Sequence, residues 1–541
     1  MPTQSAAMDL CEIDAGVSPP ELRIPQRFNA AHDLLERNLR AGRAPKIAFI
    51  DDGGSYTYGE LAARVNRFAN ALGGFGIQRE QRILLCLQDS IDFPTVFLGA
   101  IKAGAVPVPV NTLLSSADYA YMLEDCRAPM LVVSEALLAQ FPPGMLGECS
   151  HLKHILVSGV QAPRPGMRSI GEVLAGSADT FEPAPTSRDE ACFWLYSSGS
   201  TGVPKGTVHV HSSLIQTAAL YAQGTLGLKE SDVVLSAAKL FFAYGLGNSL
   251  TFPLAAGATS VLMAERATPA AIVSRLRLHR PTVFSGVPTL YASLLACEQL
   301  PAAHDVSLRV CNSAGEALPA DIARRWRERI GIDIIDGIGS TEMLHIFLSN
   351  RPGRVRPGTL GLPVPGYEAK IVDDAGNPVA AGDTGDLLVR GPSSAKFYWN
   401  QEARSRATFI GSWIRTGDRF RIDENGDYVY AGRADDMLKV GGIYVSPIEV
   451  EAALSAHPAV HEAAVVGKED GERLTKPKAF IVLAAGHCAS ETLAEELKSF
   501  VKSRLAPYKY PRWIEFVADL PKTATGKIQR FKLRAACKSN S

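Results

Sequence analysis

The sequence predicts an α/β protein. It has a large N-terminal body of doubly wound αβ subdomains plus a β-rich subdomain, and a small α+β unit at the C-terminus. Three observations carry this. Short apolar runs alternate with amphipathic segments from Asn29 to Ile330, the rhythm of strands joined by crossover helices. After Gly358 the texture turns to short β-type runs separated by glycine and proline, including an Asn425-Gly426 hairpin signal. From Ala434 on, a separate mixture of helices and strands begins, so we expect units 1–433 and 434–541.

In order, the stretch Asn29–Gly76 reads as helical, interrupted by the apolar run Ile47–Ile50 and the turn Asp51-Asp52-Gly53-Gly54. Arg82–Leu87, Val106–Val110 and Met130–Ser134 have the length and apolarity of buried strands. Asp92–Ala103, stopped by Gly104, and Ala117–Cys126 fill the gaps as helices. The apolar run Cys192–Leu195 reads as the end of a buried strand. Further on we expect helices at Ser212–Gln223, Pro269–His279, Pro288–Cys297 and Pro319–Ile330. Strands are expected at Val233–Ser236, Ser260–Met263, Thr282–Ser285 and Leu308–Asn312. The β-rich part contributes Tyr367–Asp373, Asp386–Arg390, Trp413–Arg415 and the Arg421–Tyr430 hairpin. In the last unit Val450–Ser455 and Thr492–Leu505 read as helices, and Ala459–Gly467, Lys478–Leu483 and Trp513–Val517 as strands.

Composition narrows the class. The 541 residues exceed one ordinary domain, and 46% hydrophobic with 21% charged residues is the balance of a soluble globular protein. The 56 basic and 56 acidic residues cancel, which argues against nucleic acid or an anionic membrane as a partner. Nine cysteines show neither a C-x-x-C pair nor a metal-ligand spacing and read as reduced thiols of a cytoplasmic protein. The residues through Pro25 lack the apolar core of a signal peptide, and Leu240–Met263, the most apolar long stretch, carries Asn248 and Pro253 and reads as buried core.

The chemistry centres on Tyr196-Ser197-Ser198-Gly199-Ser200-Thr201-Gly202-Val203-Pro204-Lys205-Gly206. Glycines let backbone N–H groups turn toward a ligand, hydroxyls add donors and Lys205 adds charge, the composition of a phosphate cradle. The spacing G-x-x-x-x-G-K-[ST] of a nucleoside-triphosphatase loop is not met, because Pro204 precedes the lysine. Ser313-Ala314-Gly315-Glu316-Ala317-Leu318-Pro319 joins a strand to a helix. Asp336-Gly337-Ile338-Gly339-Ser340-Thr341-Glu342-Met343 is a tight small-residue run ending in a hydroxyl and a carboxylate. Trp413-Ile414-Arg415-Thr416-Gly417-Asp418, Gly432–Gly442 and Pro521-Lys522-Thr523-Ala524-Thr525-Gly526-Lys527 complete the series. Each alone has an ordinary reading as a capped turn, a surface ion pair or a solvated basic loop.

Taken in this order the motifs resemble those of the acyl-adenylate-forming superfamily, which includes acyl-CoA ligases, luciferases and peptide-synthetase adenylation domains. The resemblance implies an adenylate-forming body and a mobile C-terminal domain that use ATP, Mg²⁺ and coenzyme A. It makes Ser197, Ser198, Gly199, Ser200, Thr201, Gly202 and Lys205 the phosphate cradle, and Gly315, Glu316 and Ala317 the adenine shelf, with Asp336 and Gly337 beside the nucleotide. Glu342 would help hold Mg²⁺, with Thr341 next to it, while Asp418 and Arg433 would take the ribose. Asp435 falls at the hinge, Gly441 and Gly442 where pantetheine passes, and Lys527 at the catalytic lysine.

Phe242, Ala243, Tyr244 and Gly245, with Ile338, Gly339, His345 and Ile346, occupy the acyl-pocket positions. These strings look most like the benzoate–CoA ligases of bacterial aromatic-acid degradation. Phe242 would gate the carboxylate, Tyr244 would wall the slot, and Ala243, Gly337 and Gly339 would leave it narrow and flat. His345 reads more readily as packing than as a ring contact. In the runs Lys239–Gly245 and Gly339–Ile346 that hold these positions, Lys239 is the one Lys or Arg, so a second charged group on the acid has no evident partner.

The expected activity is therefore ATP-dependent ligation of a small aromatic carboxylate to CoA, by a monomer or homodimer. The alternatives are a ligase for a substituted benzoate or other small acid, an adenylation unit loading a carrier protein, and a non-catalytic acyl-adenylate-binding protein. The absence of a carrier domain after Ser541 weighs against the second, and the presence of Lys527 and Glu342 against the third.

Overall fold

The computed structural model describes residues 8–160, 164–197, 204–434, 436–440, 443–470, 474–505, 508–522 and 528–539. The first layer is an all-parallel five-stranded sheet in the order Val106–Pro109, Arg82–Cys86, Met130–Ser134, His154–Ser158, Arg168–Ser169. Its crossovers are the helices Asp92–Lys102 and Ser116–Cys126. The second helix starts where Ser115 and Asp118 cap each other's backbone N–H groups, which satisfies two donors the first turn leaves free.

A nine-stranded sheet forms the second layer, in the order Leu362–Pro363, Ile346–Ser349, Ile334–Gly339, Val310–Ser313, Val283–Gly286, Val233–Ser236, Thr259–Val261, Ile47–Asp51, Gly54–Thr57. Its centre is parallel, and both edges close with antiparallel pairs. Parallel strands covered on both faces are buried throughout, as Val283–Gly286 and Val310–Ser313 are. Their polar side chains pair with each other, Ser285 Oγ donating to Asn312 Oδ1 at 2.7 Å. Phe28, Phe97, Phe193 and Leu254 belong to one continuous core beneath the layers, and Trp326 and Tyr291 to a second.

Between the layers lies a small antiparallel sheet of Ala191–Ser197, Lys205–Val210 and Phe397–Tyr398. The β-rich subdomain is an antiparallel sheet of Glu368–Val372, Gly385–Arg390, Trp413–Ile422 and Phe409–Ile410, with Tyr428–Arg433 paired to Trp413–Ile422. The C-terminal unit pairs Val460–Glu469 with Thr475–Leu483 and adds Trp513–Phe516 in parallel. The helices Pro447–Ser455, Glu491–Lys502 and Arg530–Ser539 accompany that sheet. All nine cysteines are free, and seven of them are buried. Among the described residues no helix is long and apolar enough to cross a membrane.

Three local expectations need correction. The helix expected at Ser212–Gln223 is an α-helix, His211–Thr217, continued by a π-helix, Ala218–Gln223. The apolar stretch from Leu240 is buried as expected, but it breaks into Ala243–Leu246, a π-turn at Gly247–Thr251 and Phe252–Ala256. The separate pieces Trp413–Arg415 and Arg421–Tyr430 are one long strand, Trp413–Ile422, and its partner. The small-residue run from Asp336, to which the sequence assigns no element, starts within a strand, Ile334–Gly339. Glycine there admits the neighbouring strand: a Cβ on Gly339 would collide with the His345 carbonyl oxygen, and one on Gly337 would lie 3.0 Å from Ile346 Cγ2.

Candidate active site

The site lies where the small sheet meets the end of Ile334–Gly339. Strand Ala191–Ser197 pairs antiparallel with Lys205–Val210, so Ser197 and Lys205 face each other at the two ends of the loop expected to cradle phosphate. Ser198, Gly199, Ser200, Thr201 and Gly202 lie outside the described residues. The loop's base is fastened on both sides. Tyr121 Oη and Gln401 Nε2 donate to the Pro204 carbonyl at 3.3 and 3.4 Å, and Tyr196 Oη donates to Asp125 at 2.6 Å.

Lys205 reaches Glu342, which is 137 residues away in sequence: Nζ stands 3.1 Å from Oε1. Tyr398 joins them, its hydroxyl donating to the same Glu342 oxygen at 2.6 Å and accepting from Lys205 Nζ at 2.8 Å. Burial pushes the Glu342 carboxyl up, but the Lys205 ammonium and the Tyr398 hydroxyl outweigh it and hold the group below its ordinary range. Burial and the Glu342 carboxylate push the Tyr398 phenol the other way, so it stays neutral. The turn carrying Thr341 and Glu342 is pinned by His209, whose Nε2–H donates to the Thr341 carbonyl at 2.7 Å. Burial lowers the His209 pKa to about 4, so this histidine is a neutral donor.

Gly315, at φ 97°, Glu316 and Ala317 leave the end of Val310–Ser313, and the next residue, Leu318, gives its N–H to Asp336 at 3.3 Å. The other Asp336 oxygen is buried with no hydrogen-bond partner among the described residues. Burial raises this carboxyl to about 8. Asp418 faces Arg433 across adjacent strands, with Nη1 3.3 Å from Oδ1. Arg433 also holds the Thr416 carbonyl at 3.0 Å and lies against Gly417, whose φ of 75° suits glycine.

The residues expected at the acyl pocket lie on neighbouring elements. Phe242 packs on Phe241 with centroids 4.5 Å apart and precedes the short helix Ala243–Leu246. Tyr244 Oη accepts from Asn312 Nδ2 at 3.0 Å, and its ring lies 5.5 Å from that of His345. His345 is buried among Tyr221, Tyr244 and Phe252, and Nε2 donates to the Tyr244 carbonyl at 3.3 Å. Burial lowers its pKa to about 3, so it packs as a neutral ring. Ile338 and Ile346 sit on paired antiparallel strands next to it.

The space expected at Gly339 is taken by the His345 backbone, and that at Gly337 by Ile346. Gly245 likewise lies against a backbone, since a Cβ there would collide with the Lys239 carbonyl oxygen. These three glycines serve close packing. Lys239 is occupied elsewhere, donating to the Met263 and Glu265 carbonyls near Asp89.

Asp435, Gly441, Gly442 and Lys527 lie outside the described residues. Sequence reasoning missed Tyr398, His209 and Asn312. The first sits 193 residues from Lys205 in an aromatic run with no motif of its own, and only the register Thr207↔Tyr398 brings it in.

The structure thus presents a half-buried Lys205–Glu342 pair at the base of the loop between Ser197 and Lys205, and an aromatic cluster around His345. The chain matches the model of the AMP-binding enzyme family over residues 35–399, and that of the AMP-binding enzyme C-terminal domain over 449–527. It belongs to the AMP-binding enzymes. Within that family it is 61% identical over 525 residues to the benzoate–CoA ligase of Thauera aromatica, covering 97% of this chain and 99% of that one. It is 49% identical to the 4-hydroxybenzoate–CoA/benzoate–CoA ligase of Rhodopseudomonas palustris, over 94% of each chain. Among solved structures it resembles a benzoate CoA ligase from Burkholderia xenovorans, with TM-score 0.88 and 55% identity over 94% of this chain and 100% of that one. An anthranilate CoA ligase in complex with anthranoyl-AMP aligns with TM-score 0.91 and 45% identity, over 96% and 98%.

Proposed function

We propose that this chain is an ATP-dependent benzoate–CoA ligase. The carboxylate attacks the α-phosphorus of ATP to give benzoyl-AMP and pyrophosphate, and the thiol of CoA then displaces AMP to give benzoyl-CoA. The observation that carries this is the 61% identity, across nearly the whole of both chains, with a benzoate–CoA ligase. The geometry supports it: the slot behind Phe242 is walled by Tyr244 over His345, and Lys239, the nearest cation in sequence, is spent on carbonyls.

In the first step one anion attacks another, so positioned cations and N–H donors must offset charge as it develops. Lys205 and the loop Ser197–Gly202 serve the phosphates, and Lys527 is the cation brought to the reacting oxygens. Mg²⁺ fits the donor set, because Glu342 presents a half-buried carboxylate whose second oxygen no side chain among the described residues engages. Glu342, with Thr341 beside it, would hold the ion with the nucleotide's own oxygens, and the bound ion would neutralise phosphate charge. Asp336, facing the shelf Gly315–Ala317, offers an unpartnered oxygen to the adenine amino group. Asp418 and Arg433 serve the ribose.

Lys527 and the incoming thiol cannot both reach one carbonyl unhindered. We therefore assign 434–541 as a domain that turns about Asp435, presenting first Lys527 and then the Gly441–Gly442 side. ATP and CoA as substrates fit a cytoplasmic setting.

The test is product analysis with benzoate, ATP, Mg²⁺ and CoA. Benzoyl-CoA, AMP and pyrophosphate should form in equal amounts, and benzohydroxamate should form when hydroxylamine replaces CoA. Release of ADP and orthophosphate would refute the adenylate route.

A further inference from the structure

Among the described residues, side chains hold Glu342 by one oxygen only. Its Oε1 accepts from both Lys205 Nζ and Tyr398 Oη, at 3.1 and 2.6 Å, while Oε2 has no side-chain partner among the described residues. The phenol uses its one proton on the carboxylate and a lone pair on Lys205, at 2.8 Å, and the ammonium also sits 4.2 Å from the ring centroid. A lysine on four rotatable bonds neutralises a carboxylate without fixing its rotation. A rigid ring whose base is held can fix it.

The base is held several times over. Tyr398 lies on the strand Phe397–Tyr398, opposite Thr207, and its N–H donates to Ser405 Oγ at 3.0 Å. Trp399 N–H donates to the Gly206 carbonyl at 2.8 Å, and its indole N–H to the Asp125 carbonyl at 2.9 Å. Three residues earlier than Tyr398, Ala395 N–H donates to the Glu342 carbonyl at 2.7 Å. The segment 395–399 thus fastens Glu342 by its main chain and its side chain while tying down the exit of the phosphate loop.

We propose that Tyr398 is a positioning residue for adenylation: its hydroxyl locks one Glu342 oxygen and shares Lys205, so the other oxygen is presented to the nucleotide phosphates and their divalent cation. The assignment rests on the ligase reading only through the role given to Glu342. A hydrogen bond that aims a ligating carboxylate is worth about 10–100-fold in metal affinity. The strand anchors do not use the hydroxyl, so its removal leaves the fold in place.

The experiment replaces Tyr398 by Phe, which keeps the ring under Lys205 and removes only the oxygen, with Glu342→Gln as the reference for a lost ligand. Mn²⁺ is titrated by electron paramagnetic resonance against the full chain with α,β-methylene-ATP. In parallel, KM for MgATP, KM for benzoate and thioester formation from supplied benzoyl-AMP are measured. Tyr398→Phe should weaken Mn²⁺ binding by about tenfold and raise KM for MgATP comparably, with KM for benzoate and the second half-reaction within about twofold.

Mn²⁺ binding at the wild-type affinity in Tyr398→Phe, when Glu342→Gln loses it, would overturn the proposal. An equal fall in both half-reactions with a lowered Tm would also overturn it, since that marks a structural role. The metal titration is independent of the acid, so a chain inactive on benzoate that still shows the tenfold loss would refute the substrate reading alone and support this one.

Discussion

Asp336 gives the sharpest test of the electrostatics. Its carboxyl is buried, accepts from the Leu318 N–H at 3.3 Å, and is raised by burial from 3.8 to about 8. A carboxyl with a raised folded-state pKa destabilises the fold progressively as pH climbs from the unfolded value to the folded one, and the cost is flat above that. At 1.36 kcal/mol per pKa unit, the cost grows by roughly 4 kcal/mol between pH 5 and pH 8.5. Asp336→Asn keeps the shape and an acceptor oxygen but cannot ionise, so it escapes this growth.

Thermal unfolding of both proteins from pH 5 to 9 should therefore show Tm values that lie closest at pH 5 and diverge by several degrees in favour of Asn by pH 8.5. ATP affinity at pH 7, where the wild-type carboxyl is largely neutral, should change by no more than a few-fold. Tm curves that run parallel across the range would refute the raised pKa. A large loss of ATP affinity at pH 7 would refute a neutral carboxyl at the shelf.

Three further substitutions separate the steps. Lys527→Ala should slow adenylation by on the order of 10²–10³-fold while sparing thioester formation from supplied benzoyl-AMP, as measured by pyrophosphate release and by single-turnover CoA transfer. Asp435→Pro should do the reverse, because proline fixes φ at the proposed pivot; an unaffected second step would remove the case for rotation there. Ala243→Phe should fill the slot and reduce kcat/KM for benzoate more than for a smaller acid such as acetate, which steady-state kinetics on the pair would show.

The parallel layers could be read from the sequence because buried strands carry unbroken apolar runs, such as Ile83–Cys86 and Met130–Val133, bounded by clear breaks. The strand Lys205–Val210 was hidden because its first residues belong equally to the phosphate loop, and no alternation marks a strand buried on both faces. Ile334–Gly339 was hidden by its glycines, which signal a turn locally but here admit the neighbouring chain at His345 and Ile346. In the site, Glu342 and Lys205 were legible because a lysine and a carboxylate set among hydroxyls and glycines are what phosphate and a divalent cation require. Tyr398 was not, since a tyrosine in an aromatic run looks like core until a sheet register sets its hydroxyl on Glu342.

The central claim is that a slot built on Phe242, Ala243 and Tyr244 selects one aromatic ring. Steady-state kcat/KM for acetate, hexanoate, benzoate, a hydroxybenzoate and cinnamate, each with saturating ATP and CoA, tests it most directly. Each CH₂ equivalent left unburied forfeits about 0.8 kcal/mol, so benzoate should exceed acetate by orders of magnitude. Hexanoate and cinnamate should fall behind benzoate for want of room beyond the slot. A higher kcat/KM for hexanoate or cinnamate than for benzoate would contradict the claim.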